Sequence, residues 1–293
     1  MWLDTCKRRA TSVSGTHVAP AAYTSDAPTW SGGKESDLQL SKRELLEQVN
    51  GIARGAGELV MAVYRSDFSA RRKDDASPVT EADERAEAFI LAALRTLTPD
   101  IPVVAEEEVA AGRTPQVARV FWLVDPLDGT KEFINRNDEF TVNVALVENG
   151  APTLGVVYAP ALGRLYAGIA GADAYVEDET GRRPIRCRAV PDEGLTVVAS
   201  RSHGDLDALD AYLGSRKVAS IRGAGSSLKL CLLAAGEADL YPRLGRTMEW
   251  DIAAGHAVLS AAGGTVSDLS GASLTYGKPG FENPHFVSRG LAD

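Results

Sequence analysis

Apolar residues recur near a helical period through Leu45, Leu46, Val49, Ile52, Leu59 and Val63, which predicts a long amphipathic helix. Ser41 and Glu44 precede that run with the spacing of a capping box, so the folded part is expected to open at Ser41. A second helix is expected after Thr80, because Ala82, Ala86, Phe89, Ile90, Ala93 and Leu97 share one side and Pro99 stops the run. Residues 101–104 predict a short buried strand that leads through Ala105 into Glu106, Glu107 and Glu108. From Val120 the period changes to alternation: Phe140, Val142, Val144 and Leu146 fall on one face, and Asn149-Gly150 is a strong hairpin signal. Residues 153–158 return as the partner strand, and 164–169 and 174–177 extend an antiparallel meander. After 195–199, the succession of 205–213, 218–221, 228–235, 240–241 and a helix over 251–262 predicts a second, mixed lobe. These patterns divide the chain into an extension over 1–40, an N-terminal α+β lobe over 41–194 and a C-terminal α/β lobe over 195–293.

Composition narrows this picture without settling the fold class. A chain of 293 residues that is 44% hydrophobic can bury one large core or two modest lobes. Its formal charge of −9 argues against a nucleic-acid surface, and no basic, aromatic-studded stretch suggests a single-strand track. Cys6, Cys187 and Cys231 are odd in number and widely spaced, which fits neither a disulfide framework nor a zinc site and points to a reducing, cytoplasmic compartment. No run of about 18 apolar residues is present to span a bilayer. Residues 1–40 lack periodicity and an apolar signal region, and read as a disordered extension. A transit peptide is the alternative: Lys7-Arg8-Arg9 fits one, Asp4 and Asp26 do not.

The chemistry concentrates in Trp122 to Phe133, where an apolar run enters Asp125-Pro126-Leu127-Asp128-Gly129-Thr130. Two carboxylates so close cannot both ionise in a low-dielectric pocket unless a cation offsets them, and oxygen donors select hard ions such as Mg²⁺. Gly129 lets backbone approach a ligand, and Thr130 brings a hydroxyl to a candidate helix start. The same residues also suit a plain acidic turn. Glu106 to Glu108 read equally as a solvated face. Asp251, in Trp250-Asp251-Ile252-Ala253-Ala254-Gly255, serves as a helix N-cap as readily as a ligand. Thr80 and Asp83 have capping-box spacing. An acidic protein acting on phosphates needs local positive charge, which bound divalent ions supply.

Together these segments resemble a family, the lithium-sensitive, Mg²⁺-dependent phosphatases that include inositol monophosphatase and the 3'(2'),5'-bisphosphate nucleotidases. The resemblance covers roughly residues 41 to 293 and rests on Glu106-Glu107, Asp125 to Thr130, and Trp250 to Gly255, in the expected order and spacing. Lys131-Glu132-Phe133-Ile134, Asn143 after Glu139-Phe140-Thr141, Ser200-Arg201-Ser202-His203 and Ser226-Ser227-Leu228-Lys229 are similar to the bacterial nucleotidase branch of sulfur assimilation.

The resemblance implies a layered α-β-α-β-α sandwich of the sugar phosphatase type, with a larger antiparallel sheet and a smaller mixed one. It implies that Glu106, Asp125, Asp128, Asp251 and the Leu127 carbonyl hold two Mg²⁺ ions, with a third as an option. Asp83 and Thr130 would orient the attacking water, with Glu107 as a further candidate. Substrate would be held by Glu106, Leu127, Asp128, Gly129, Thr130, His203, Ser226, Lys229, Arg243 and Asp251, with Lys229 and Arg243 on a phosphate that is retained. Read without the family, Lys229 and Arg243 are surface cations and His203 a turn residue.

The implied reaction is hydrolysis of the 3'-phosphate of adenosine 3',5'-bisphosphate, and of its sulfated relative, by a monomer or homodimer in the cytoplasm or at the inner membrane face. An inositol monophosphatase and a non-catalytic, metal-binding regulatory module are the alternatives. Replacing Asp125 with asparagine is expected to weaken metal binding and to remove nearly all turnover at saturating Mg²⁺; a folded variant with normal turnover would exclude Asp125 from the site.

Overall fold

The computed structural model describes residues 35–68, 71–72, 78–200 and 206–291, with backbone alone for 35–41, 71–72, 78–79 and 206. The chain opens with the helix α1 (Glu35–Tyr64), the short ribbon of β1 (Arg71–Arg72) and β2 (Pro78–Val79), the helix α2 (Glu81–Leu97), the strand β3 (Val103–Ala105) and the one-turn helix α3 (Glu106–Ala110). Then come β4 (Val120–Asp128), the short helix α4 (Thr130–Ile134), β5 (Thr141–Glu148), β6 (Ala151–Ala159), β7 (Arg164–Ile169), β8 (Ala174–Asp178) and β9 (Gly181–Pro184). The remainder comprises β10 (Leu195–Ser200), α5 (Leu206–Leu213), β11 (Val218–Ala224), α6 (Leu228–Ala234), β12 (Leu240–Arg243), α7 (Glu249–Ala261), β13 (Thr265–Asp268) and β14 (Phe286–Arg289).

Seven strands form one sheet in the order β3 to β9, antiparallel throughout except that β3 runs parallel to β4. Five form a mixed sheet in the order β11-β10-β12-β14-β13. The faces of the large sheet carry different cores. Val142, Val144 and Leu146 pack with α1 and α2 through Leu46, Val49, Val60, Ala86 and Ile90. Ala145 and Val147 face the other way, into a core shared with Leu230 and Leu233 of α6 and with Ala254, Val258 and Leu259 of α7. On the outer side of the small sheet, Leu209 and Leu213 of α5 cover Val197, Leu240 and Val287. The result is the five-layer α-β-α-β-α stack, with α6 and α7 between the sheets. No helix of the described residues is long and apolar enough to cross a membrane.

Several local expectations change. α1 begins at Glu35, because residues 35–50 contain no glycine or proline to halt it, so Ser41 and Glu44 lie inside the helix rather than capping it. The β5 strand shows buried positions on both faces instead of one, since helices cover the sheet on both sides. Phe89, placed on the buried side by its spacing, is 40% exposed, while Leu91 and Leu94 are buried. Glu106 to Glu108, read only as acids at a strand exit, form the first turn of α3. The Asn149-Gly150 hairpin forms as expected, with φ of 53° and 77°.

Close packing of α7 on the large sheet depends on missing side chains. A Cβ on Gly155 of β6 would lie 2.3 Å from the Ala254 carbonyl oxygen and 2.8 Å from Ala257 Cβ, so only glycine lets the helix backbone rest on the strand. Gly155→Ala is therefore expected to destabilise the protein by about 1–3 kcal/mol. Gly51 sits in the exposed middle of α1 with nothing within 4 Å of an added Cβ, and Gly51→Ala should stabilise by about 0.5–1 kcal/mol. Urea midpoints of the two variants check both signs.

Candidate functional site

Three chain segments deliver carboxylates to one place, and each is positioned by ordinary local forces. β4 is buried along Phe121 to Leu127, which pins its direction inside the stack. At its end Asp125 still pairs with Asn143, but the next match is Asp128 with Thr141, so the strand bulges. Pro126 lacks a ladder donor, which explains the break. Within the bulge the Leu127 amide donates to Asp125 Oδ1 at 3.0 Å, and Asp125 is 2% exposed. Gly129 then takes φ of 91° as the N-cap of α4, a left-handed conformation in which a side chain would crowd the Glu139 carbonyl at 3.2 Å.

β3 lies parallel to β4 with Ala105 opposite Val124, so Glu106 leaves β3 beside Asp125, which still pairs with β5. Glu106 opens α3. The Glu107 amide donates to Glu87 Oε2 of α2 at 2.7 Å, and burial pushes the Glu87 carboxyl up to about 7.

Asp83 performs both functions that its spacing left open. Its Oδ2 accepts from the Thr80 amide and the Thr80 hydroxyl, each at 2.7 Å, completing the capping box. Its Oδ1 accepts from Thr130 Oγ1 at 3.3 Å, and Thr130 Oγ1 also lies 3.2 Å from the Leu127 carbonyl. A capping residue on α2 thus orients the first hydroxyl of α4.

The third segment is the start of α7. Asp251 is not its N-cap: Met248 holds that place, and Asp251 is the third residue of the helix, its Oδ2 accepting from the Met248 amide at 2.9 Å. A carboxylate there suits the positive end of the helix. Asp128 Oδ2 accepts from the Ser227 amide at 2.6 Å and from Asn143 Nδ2 at 3.4 Å. Asn143 Nδ2 also reaches Ser227 Oγ at 3.0 Å and the Asp251 carbonyl at 3.4 Å, to which Ser227 Oγ donates as well. This buried lattice joins the end of β4, the start of α6 and the first turn of α7.

The expected substrate residues Ser226, Lys229 and Arg243 lie beside it. Lys229 is 5% exposed, not the surface cation that its sequence alone suggests. Its Nζ donates to the Ser226 carbonyl at 2.5 Å and stands 5.4 Å from the Tyr241 ring centre. Burial pushes it down to about 8, a trend that Asp128 opposes and Arg243 reinforces. Ser226 adopts φ of 44°, and its hydroxyl is buried without a hydrogen-bond partner among the described residues. Arg243 Nη2 donates to the Arg246 carbonyl at 2.8 Å, and its buried Nε also lacks a partner among the described residues. Strained backbone and unsatisfied buried groups are typical of sites completed by a ligand. His203 lies outside the described residues.

Asn143, Ser227 and Glu87 received no role from the sequence pattern. Asn143 had a signal, a lone amide between Val142 and Val144 in a strand otherwise apolar, because such a group is buried only with partners. Ser227 entered only as part of the Ser226 to Lys229 motif, and Glu87 not at all. Glu249 is fully buried but accepts from the Gly277 and Lys278 amides at 2.7 and 3.0 Å, a structural role.

The donor set fits a hard cation. Burial raises Asp128 to about 6 despite the opposing charge of Lys229, and burial together with Asp128 and Glu106 holds Asp251 well above the carboxylate range. Among the described residues no three acids, histidines or cysteines close into a ready coordination sphere. Mutual repulsion and bonds to backbone amides account for that spacing.

These shifts have a definite sign. A carboxyl raised in the native state binds its proton more tightly there than in the unfolded chain, so between pH 3.8 and about 6 rising pH removes stability that Asp128 contributes in its protonated form. Removing the charge should help only above that window. In chelator-treated protein, Asp128→Asn is expected to raise the melting temperature at pH 8 relative to pH 5 by about 3 °C, the shift for roughly 1 kcal/mol in a chain of this size, and to shrink the rise that Mg²⁺ produces. Equal effects at both pH values in calorimetric scans would reject this electrostatic assignment.

The model of the inositol monophosphatase family matches residues 41–290. The 3'(2'),5'-bisphosphate nucleotidase CysQ of Salmonella typhimurium is 51% identical over 248 residues, covering 83% of this chain and 98% of that protein. The enzyme of the same name from Escherichia coli K12 is 48% identical over the same shares. Among solved structures, CysQ from Bacteroides thetaiotaomicron superposes with a TM-score of 0.74 at 36% identity, covering 87% of this chain and all of that one. Match length, identity and the shared five-layer architecture agree, and the chain belongs to the inositol monophosphatase family.

Proposed function

We propose that the protein is a Mg²⁺-dependent phosphatase that hydrolyses the 3'-phosphate of adenosine 3',5'-bisphosphate to AMP and phosphate, accepts the sulfated relative of that nucleotide, and works in the cytoplasm in sulfur assimilation. The observation that carries the reading is the near full-length match, at 51% identity, to a protein named for 3'(2'),5'-bisphosphate nucleotidase activity. The family is generally Mg²⁺-dependent.

Glu106, Asp125, Asp128, Asp251 and the Leu127 carbonyl are the residues that would hold two Mg²⁺ ions, or three. Bound there, Mg²⁺ supplies charge neutralisation of the phosphate and a lowered pKa for water. The chain's own groups do the positioning. Thr130 Oγ1 can accept a hydrogen bond from the attacking water only while its own proton points to an acceptor, and Asp83 Oδ1 at 3.3 Å and the Leu127 carbonyl at 3.2 Å both lie in reach of that proton. With its other oxygen occupied by Thr80, Asp83 cannot rotate away. Glu107 stands next to Glu106 as a second candidate for handling the water's proton. As water oxygen bonds to phosphorus, the bond from phosphorus to the 3'-oxygen breaks and that oxygen takes up a proton, so no covalent enzyme intermediate is needed.

Lys229 and Arg243 suit the phosphate that is retained. Desolvated cations form strong bonds to phosphate oxygens, and the unsatisfied Ser226 hydroxyl and Arg243 Nε sit on the same side as Lys229. His203 belongs to this group by resemblance.

Purified protein with Mg²⁺ is expected to release phosphate from adenosine 3',5'-bisphosphate at least tenfold faster in kcat/KM than from inositol 1-phosphate; the reverse order would make it an inositol monophosphatase, and no release from either would leave a regulatory module. Lys229→Ala should raise KM for the bisphosphate about tenfold to a hundredfold, as expected for a lost charged hydrogen bond. A nucleoside 3'-monophosphate should be nearly unaffected, and equal losses on both substrates would remove Lys229 from the retained phosphate.

A further inference from the structure

α2 carries two buried acids one turn apart, Asp83 and Glu87, 1% and 4% exposed. Side chains at this spacing share a helix face. Asp83 reaches forward to Thr130 at the start of α4. Glu87 takes no part in the reaction described above, yet burying an acid is costly unless its bonds require it.

Its bond to the start of α3 explains the placement. Glu87 Oε2 accepts the Glu107 amide at 2.7 Å, across 20 residues of sequence. That amide lies in the first turn of α3, where helix N–H groups have no partner within the helix. The N-cap of α3 is Ala105, which makes no side-chain capping bond. A helix of one turn cannot hold itself by backbone bonds, because nucleation costs more than one turn returns. The acceptor that α3 lacks in its own sequence therefore comes from α2.

The amide that Glu87 grips joins Glu106 to Glu107, so its orientation controls where both carboxylates point. The parallel pairing of β3 with β4 sets how far Glu106 emerges beside Asp125; it does not set the rotation of the chain once the ladder ends. We propose that Glu87 is a positioning residue that caps α3 from α2 and thereby holds Glu106 and Glu107 in the same frame as Asp83 and Thr130. α2 packs against β3, β4 and α3, so one rigid helix face registers both acid-bearing segments. The assignment rests on the hydrolytic reading for its effect on turnover, but not for its effect on metal affinity.

The test uses the full chain with Glu87→Met, which fills a similar volume without an acceptor, and Glu87→Gln, which keeps a carbonyl oxygen in place. Mn²⁺ affinity is measured by titration calorimetry, and kcat, KM and the half-saturating Mg²⁺ concentration by phosphate release from adenosine 3',5'-bisphosphate. The Met variant is expected to weaken Mn²⁺ binding and to raise the Mg²⁺ requirement about tenfold or more, the usual scale for losing a group that orients a metal ligand, with KM for the nucleotide within about twofold of the parent. The Gln variant should recover most of that loss. Unchanged Mn²⁺ affinity in the Met variant, or equal impairment of Met and Gln, would overturn the role of Glu87. Failure of the unsubstituted protein to release phosphate would instead defeat the hydrolytic reading, and the calorimetric comparison would still decide the positioning role.

Discussion

Desolvation of carboxylates crowded together at element ends is the constraint around which this molecule is arranged. Asp128, Asp251 and Glu106 come from segments far apart in sequence, and burial, reinforced by the charges of Asp128 and Glu106, holds Asp251 well above the carboxylate range. Such a cluster opposes folding unless fixed dipoles and cations hold it. Here the dipoles are backbone amides: Leu127 on Asp125, Ser227 on Asp128, Met248 on Asp251 and Glu107 on Glu87. The nearby protein cation, Lys229, is itself desolvated and pushed down. A bound divalent cation would complete the neutralisation, and under the proposed function it would give an acidic protein a place for a polyanionic substrate.

The layered stack makes this arrangement possible by removing freedom at its ends. β4 and α7 are packed on both sides, β4 between two cores and α7 between two sheets. Each therefore delivers its terminal acid with little room to relax. Gly155 permits direct contact of α7 with the sheet, and Asn143 with Ser227 locks the junction in a hydrogen-bonded lattice. Precision comes from rigid elements, while the polar residues of the candidate site sit at element ends and turns. The left-handed Gly129 and Ser226 mark places where the backbone departs from its easiest path to line the site.

α2 shows how one element serves stability and chemistry at once. Asp83 is a capping residue by every local measure, and the same carboxylate holds Thr130. One turn later, Glu87 does for α3 what no residue of α3 does for itself. Spacing on a helix face thus becomes spacing between catalytic segments.

Periodicity alone carried most of the secondary structure: the β7 bounds, the Asn149-Gly150 hairpin, the end of α2 before Pro99 and the helix after Trp250 all follow from local preferences that the fold does not contradict. The proximity of Asp125 and Asp128 was legible because Asp-Pro-Leu-Asp-Gly-Thr places both within one turn, where spacing in sequence is spacing in space. Other features were settled only by tertiary structure. Whether Asp251 stood at the N-cap or inside the helix, whether Lys229 was wet or buried, and which faces of β5 met a core depended on how the layers pack. β13 and β14 offered patterns too short to read, since pairing rather than propensity makes them strands. Glu87 had no local mark at all, because a hydrogen bond from a distant backbone amide leaves no trace in the residues around it. A chain writes its periods and turns in neighbouring residues; desolvation and long-range bonds exist only after the layers close.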